Sequence, residues 1–140
     1  MNLKQAKLVG LDTNIFVYQF AKHPDFFTPT RRLFQLLEQS HLKGVTSIIT
    51  LTEILALPAP QEILTEIEET FFSTPNLNIL DVDGNIAKEA ASIRRDYRYR
   101  SPDAIQLATA LLAKADRFIT NDKRLTSFRG VKIQLLSELV

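Results

Sequence analysis

Asp12, Glu53, Asp103 and Asp122 are the side chains whose types and placement are suited to chemistry. Asp12 closes the apolar run Leu8 to Leu11, and Glu53 falls in the first helical turn after a β-branched run. Asp103 stands in Ser101-Pro102-Asp103 at a helix start, and Asp122 follows Ile119-Thr120-Asn121. An aspartate between a strand and a helix is most often an N-cap, and a helical glutamate is most often solvated, so no single acid carries an argument. Their joint placement does. Carboxylates gathered in a partly dry cleft repel one another, at a cost of kilocalories unless protons or a cation neutralise them. A divalent cation is the natural counterion. With no cysteine, and with His23 and His41 outside any ligand-like spacing, an all-oxygen site favours Mg²⁺ or Mn²⁺ over zinc. Such ions lower the pKa of a bound water and orient a phosphate for in-line attack, so phosphodiester hydrolysis is the reaction this arrangement serves best.

These acids lie far apart in the chain, so the fold must bring them together. The pattern predicts a strand at Leu8 to Leu11 and a helix over Thr13 to Phe20. After a proline-bracketed loop, Thr30 is expected to cap a helix that buries Leu33, Phe34, Leu36 and Leu37. Val45 to Ile49 reads as a second strand, followed by a helix from Thr50 toward Leu57. Another helix runs from Pro60 to about Phe72, with Ile63, Leu64, Ile67 and Phe71 on one face. Leu77 to Leu80 is the third strand, and Asp83 or Gly84 opens the next helix. Ser101 then serves as a cap with Pro102 at the first helical position, leading into the apolar, buried stretch Ile105 to Ala113. Arg117 to Thr120 and Val131 to Leu135 complete five strands, with a helical turn at Asp122. Strands alternating with helices predict a parallel sheet covered on both faces. Functional groups in such sheets collect beyond the carboxyl ends of the strands. Asp12, Glu53 and Asp122 can meet there, and Asp103 must join them from a helix N-terminus.

The totals are those of one compact domain over residues 1–140: 45% hydrophobic residues, four glycines, six prolines and no low-complexity segment. The absence of cysteine removes disulfide frameworks and thiolate sites and fits a reducing, cytoplasmic setting. No run approaches the roughly 20 apolar residues needed to cross a bilayer, so no membrane association is expected. The net charge of +1 hides an uneven distribution. Residues 44–87 hold no Lys or Arg but carry Glu53, Glu62, Glu66, Glu68, Glu69, Asp81 and Asp83, whereas Arg94, Arg95, Arg98 and Arg100 crowd one short stretch. A basic face beside an acidic one is one outcome, and ordinary solvated helix surfaces are the other.

Four blocks in order resemble the PIN-domain family: Leu11-Asp12-Thr13-Asn14, Ser47 to Ile54, Ser101 to Ala108, and Ile119-Thr120-Asn121-Asp122. Each block is weak alone, but the ordered set is specific and spans almost the whole chain. The resemblance implies a three-layer α/β/α fold and an Mg²⁺- or Mn²⁺-dependent endoribonuclease. It implies Asp12, Glu53 and Asp103 as principal metal-site acids, Asp122 as a fourth acting directly or through water, and Thr13 and Asn121 as supporting polar groups. In size the chain is most similar to the toxins of bacterial VapBC-type toxin-antitoxin pairs, which usually dimerise and are silenced by a small antitoxin covering the acidic cleft. The stretch before Asp103 holds Arg94, Arg95, Tyr97, Arg98, Tyr99 and Arg100, where the family varies. These residues are suited to holding RNA phosphates and stacking bases, and the tyrosines are equally suited to anchoring a helix end or a dimer interface.

Rival readings fit less well. Asp81-Val82-Asp83-Gly84 resembles the opening of haloacid dehalogenase phosphatases, but too little chain follows it. It also begins like a calcium loop, yet Ile86 and Ser92 occupy the positions of the required glycine and glutamate. A response-regulator receiver needs two acids after strand one, where only Asp12 stands. No phosphate-binding glycine loop and no credible Ser-His-Asp set is present. The remaining competitor is a catalytically silent PIN-like module that binds RNA or protein.

Overall fold

The computed structural model describes residue 3 and residues 5–139. Five parallel strands, β1 (Leu8–Leu11), β2 (Lys43–Ser47), β3 (Leu77–Leu80), β4 (Arg117–Thr120) and β5 (Lys132–Leu135), form one sheet in the order β3-β2-β1-β4-β5. Helices α1 (Thr13–Phe20), α2 (Phe27–Glu38), α3 (Ile49–Leu55), α4 (Gln61–Phe72), α5 (Gly84–Tyr97) and α6 (Ser101–Leu112) cover it, with short 3-10 turns at Lys123–Ser127 and Leu136–Leu139. This is the expected three-layer α/β/α arrangement. No helix among the described residues is long and apolar enough to cross a membrane.

Side chains alternate across each strand, so neighbouring residues feed opposite faces. Val9, Leu11 and Ile119 join Ile15, Phe16, Leu33, Leu37, Ile54 and Phe71 in one core, under α1 to α4. Phe118 points the other way, into a second core with Ala104, Leu107 and Ala108 of α6 and Ile86, Ala90 and Ile93 of α5. Helix α6 lies across β2, β1 and β4. It approaches β1 so closely at Gly10 that an added Cβ would stand 2.8 Å from both the Ala110 Cβ and the Phe118 ring. Gly10→Ala is therefore expected to lower stability by about 1–3 kcal/mol through overpacking, read as a reduced urea midpoint at constant slope.

Three element boundaries differ from expectation for local reasons. Helix α2 begins at Phe27, so Pro29 occupies its first turn, where the missing amide costs no hydrogen bond. Thr30 is consequently internal, its hydroxyl donating to the Phe27 carbonyl and to Gln19 Oε1. Strand β2 runs Lys43–Ser47, with Ile48 and Ile49 passing into α3. Arg100, not Ser101, is the N-cap of α6, which puts Pro102 at the second helical position. On α4 only Phe71 is fully buried, while Ile63 is exposed.

Candidate active site

The strand order reverses between β1 and β4: the chain moves outward from β1 through β2 to β3, then crosses to β4 on the opposite side. The crevice outside the carboxyl ends of these two strands is where open α/β sheets place ligands. Asp12 and Asp122 flank it. The Asp12 amide donates to the Ile119 carbonyl across the β1–β4 pair at 3.0 Å, and the residue is the N-cap of α1. Its Oδ1 accepts from the Thr13 amide at 2.9 Å and its Oδ2 from the Thr120 hydroxyl at 2.7 Å. Only 7% exposed, the carboxyl is pushed up to about 6, chiefly by burial. The Thr120 and Thr13 hydrogen bonds oppose that rise, and the nearby charges of Asp103 and Glu53 add to it.

Glu53 reaches the crevice from α3 and is fixed by Thr13, whose hydroxyl donates to its Oε1 at 2.6 Å. Behind them stands Gln106 of α6, 2% exposed. Its Nε2 donates to Thr13 Oγ1 at 3.3 Å and to Thr50 Oγ1 at 2.7 Å, while its Oε1 accepts from the Ser47 amide at 3.3 Å. Thr46 completes the knot, with its hydroxyl 2.7 Å from that of Thr50 and donating to the Leu11 carbonyl at 2.8 Å. One buried amide thus ties α6 to β2, α3 and α1, and through Thr13 it sets the position of Glu53.

Asp103 and Asp122 share a cation. Arg124 Nη2 lies 2.5 Å from Asp122 Oδ2 and 3.4 Å from Asp103 Oδ2, and its Nε reaches both Asp122 oxygens at 3.1 and 3.2 Å. These bonds hold the Asp122 carboxyl below the usual range. Asp103, half-buried in the first turn of α6, is raised by burial against the pull of Arg124, and the Asp122 charge raises it further. Asp12 therefore senses the charges of Asp103 and Glu53, and Asp103 that of Asp122, around one crevice. Among the described residues, no three His, Cys, Asp or Glu side chains are gathered closely enough to hold an ion as they stand. The chemistry of the donors nevertheless fits a hard cation: all are oxygens, two already grip a guanidinium, and the nearby Asn14 Oδ1 is buried without a partner.

The other expected residues divide. Thr13 sits in the site, whereas the Asn121 amide donates to the Tyr18 hydroxyl at 3.1 Å. Tyr97 and Tyr99 stack on each other with centroids 5.4 Å apart. The Tyr99 hydroxyl meets Ser127 Oγ at 2.5 Å, and the Tyr97 hydroxyl accepts from the Arg129 amide at 3.2 Å. Both rings are thus engaged in anchoring the α5–α6 turn to the segment after Arg124. Arg94, Arg95 and Arg98 are exposed and line a cleft of about 450 Å³ with Ala91 and Tyr99. Arg100 is close enough to the acids that its charge lowers both Asp103 and Asp122. Gln106, Thr120 and Arg124 were not singled out by sequence. A glutamine inside the apolar run Ile105 to Ala113 was the one available signal.

A parallel sheet with an acid-lined switch-point crevice defines the class to which the comparisons also lead. The PIN domain family matches residues 9–131, and the chain belongs to that family. Its fold is closely related to those of VapBC-type toxin-antitoxin proteins. A toxin-antitoxin complex from Klebsiella pneumoniae is 27% identical with a TM-score of 0.66, over 90% of this chain and 95% of that one. VapBC from Salmonella typhimurium, bound to DNA, matches at 23% identity and TM-score 0.72, over 94% and 99% of the two chains. VapBC2 from Rickettsia felis, bound to a promoter fragment, matches at 20% and 0.72, over 91% and 98%. Comparison with curated proteins gives no match.

Proposed function

We propose that this protein is a metal-dependent endoribonuclease, the toxin of a type II toxin-antitoxin pair acting in the cytoplasm. The observation that carries the reading is the placement of Asp12 at the β1–β4 switch point, with Glu53 and Asp103 near enough for their charges to raise its carboxyl and Asp122 near enough to raise Asp103. Those four side chains would hold Mg²⁺ or Mn²⁺, an ion that when bound supplies an acidified water and neutralises charge on the scissile phosphate. Thr13 and Thr120 aim Glu53 and Asp12, and Gln106 supports Thr13 from behind. Arg94, Arg95, Arg98 and Arg100 are suited to the RNA backbone, gripping phosphates beside the acids. A small antitoxin covering the crevice, and a homodimer, are the partners in this reading; the toxin-antitoxin complexes that the fold resembles support an antitoxin partner.

The test is incubation of the purified chain with labelled RNA in millimolar Mn²⁺ or in chelator, beside a thermal melt in each. Cleavage is expected only with the ion, which should also raise the melting temperature, since a ligand at a hundred times its dissociation constant adds about 2.7 kcal/mol. Intact RNA with an unchanged melt would reject the nuclease, and RNA retention under those conditions would identify a silent binding module instead.

A further inference from the structure

Asp122 has no oxygen to spare. Its Oδ1 accepts from the Arg124 amide at 3.0 Å and from Arg124 Nε, and its Oδ2 accepts from Nε and Nη2. The same Nη2 also reaches Asp103. A guanidinium and a divalent ion would draw on the same carboxylate lone pairs, so these oxygens cannot serve both fully. The arginine is nevertheless easy to dislodge. Its side chain is 60% exposed, and water and salt screen exposed ion pairs so that each contributes little. Its backbone stays in place meanwhile, because the Ser127 hydroxyl donates to the Arg124 carbonyl and Asp122 caps the turn independently of the guanidinium.

We propose that Arg124 is a tethered counterion that neutralises Asp103 and Asp122 in the ion-free protein and competes with the divalent cation for them, thereby setting the affinity for that cation. The inference rests on the metal-site reading above. It makes Arg124 a positioning residue: it holds the acids near one another before the ion arrives, and must turn toward solvent when the ion takes its place.

The experiment is Mn²⁺ titration of the full chain, followed by the electron paramagnetic resonance signal of free Mn²⁺, for the natural protein, Arg124→Ala and Arg124→Lys at one pH and ionic strength. Arg124→Ala is expected to bind Mn²⁺ about three- to tenfold more tightly, matching release from an exposed multidentate pair. Arg124→Lys keeps the charge but loses the planar fork, and should fall between the two. Affinity in Arg124→Ala equal to or weaker than that of the natural protein would overturn the competition while leaving the metal site standing. If no form bound Mn²⁺, both the site and the competition would be rejected. Should Arg124→Ala not fold, Arg124→Gln, neutral and similar in reach, makes the same comparison.

Discussion

Asp12→Asn is expected to cut Mn²⁺-dependent RNA cleavage on the order of 10³-fold or more, and to make the ion-free protein more stable by up to about 3 kcal/mol. Both effects come from one buried charge. Asp12 is pushed up to about 6 from an ordinary 3.8, so the folded protein binds that proton more tightly than the unfolded chain does. Its stabilising effect is complete below about pH 4 and disappears as pH rises through 6; at neutral pH the folded state carries an unfavourable carboxylate. Asparagine removes the charge and keeps the shape. Its carbonyl can still accept from Thr13, and the released Thr120 hydroxyl has the unpartnered Asn14 amide oxygen nearby if that amide turns.

The pH dependence gives an independent readout. In chelator, the natural protein should be about 1–2 kcal/mol more stable at pH 5 than at pH 7.5, and the difference should shrink in Asp12→Asn. Asp103, also raised, acts in the same direction. Asp122 and Asp116 are lowered, so their contribution is lost only as pH falls below the ordinary aspartate value, outside this window. Urea unfolding at the two pH values measures this directly. A variant that unfolds more readily than the natural protein at pH 7.5, or that still cleaves, would remove Asp12 from its proposed role.

Gln106→Leu should lower stability by about 2–4 kcal/mol and slow cleavage by about ten- to a hundredfold. Leucine fills a similar volume but leaves the buried Ser47 amide without its side-chain acceptor and deprives Thr13 and Thr50 of a donor. Thr13 is then free to turn, and Glu53 loses the partner that fixes it. The two losses can be separated by assaying well below the unfolding midpoint, where a purely structural defect would leave the rate per folded molecule intact. Full activity together with normal stability would mean that the polar knot does not act on the site.

The sheet, and the positions of Asp12 and Asp122 at its edge, were legible because strand runs end abruptly in an acid before the helical period begins. Asp103 keeps its place in the first turn of α6 although the cap is Arg100, whereas α3 begins early, at Ile49, and leaves Glu53 in the second turn rather than the first, where it still meets Thr13. The ring stacking of Tyr97 on Tyr99 could not be read, because the partners Ser127 and the Arg129 amide lie about 30 residues away. Arg124 was hidden for a related reason. Two positions beyond an aspartate in a basic, turn-forming stretch, it looks like solvated charge, and only the approach of α6 brings Asp103 within its reach.

Strand β1 gains its second neighbour only when β4 arrives, where Phe118, the partner of Gly10, lies 108 residues further along the chain. Thr120, which steadies Asp12, comes on that same late strand. A chain still emerging from the ribosome therefore carries Asp12 and Glu53 without the groups that complete their setting. In the proposed role, a nascent copy is harmless to the messages around it until the ribosome has passed well beyond the codons for β4.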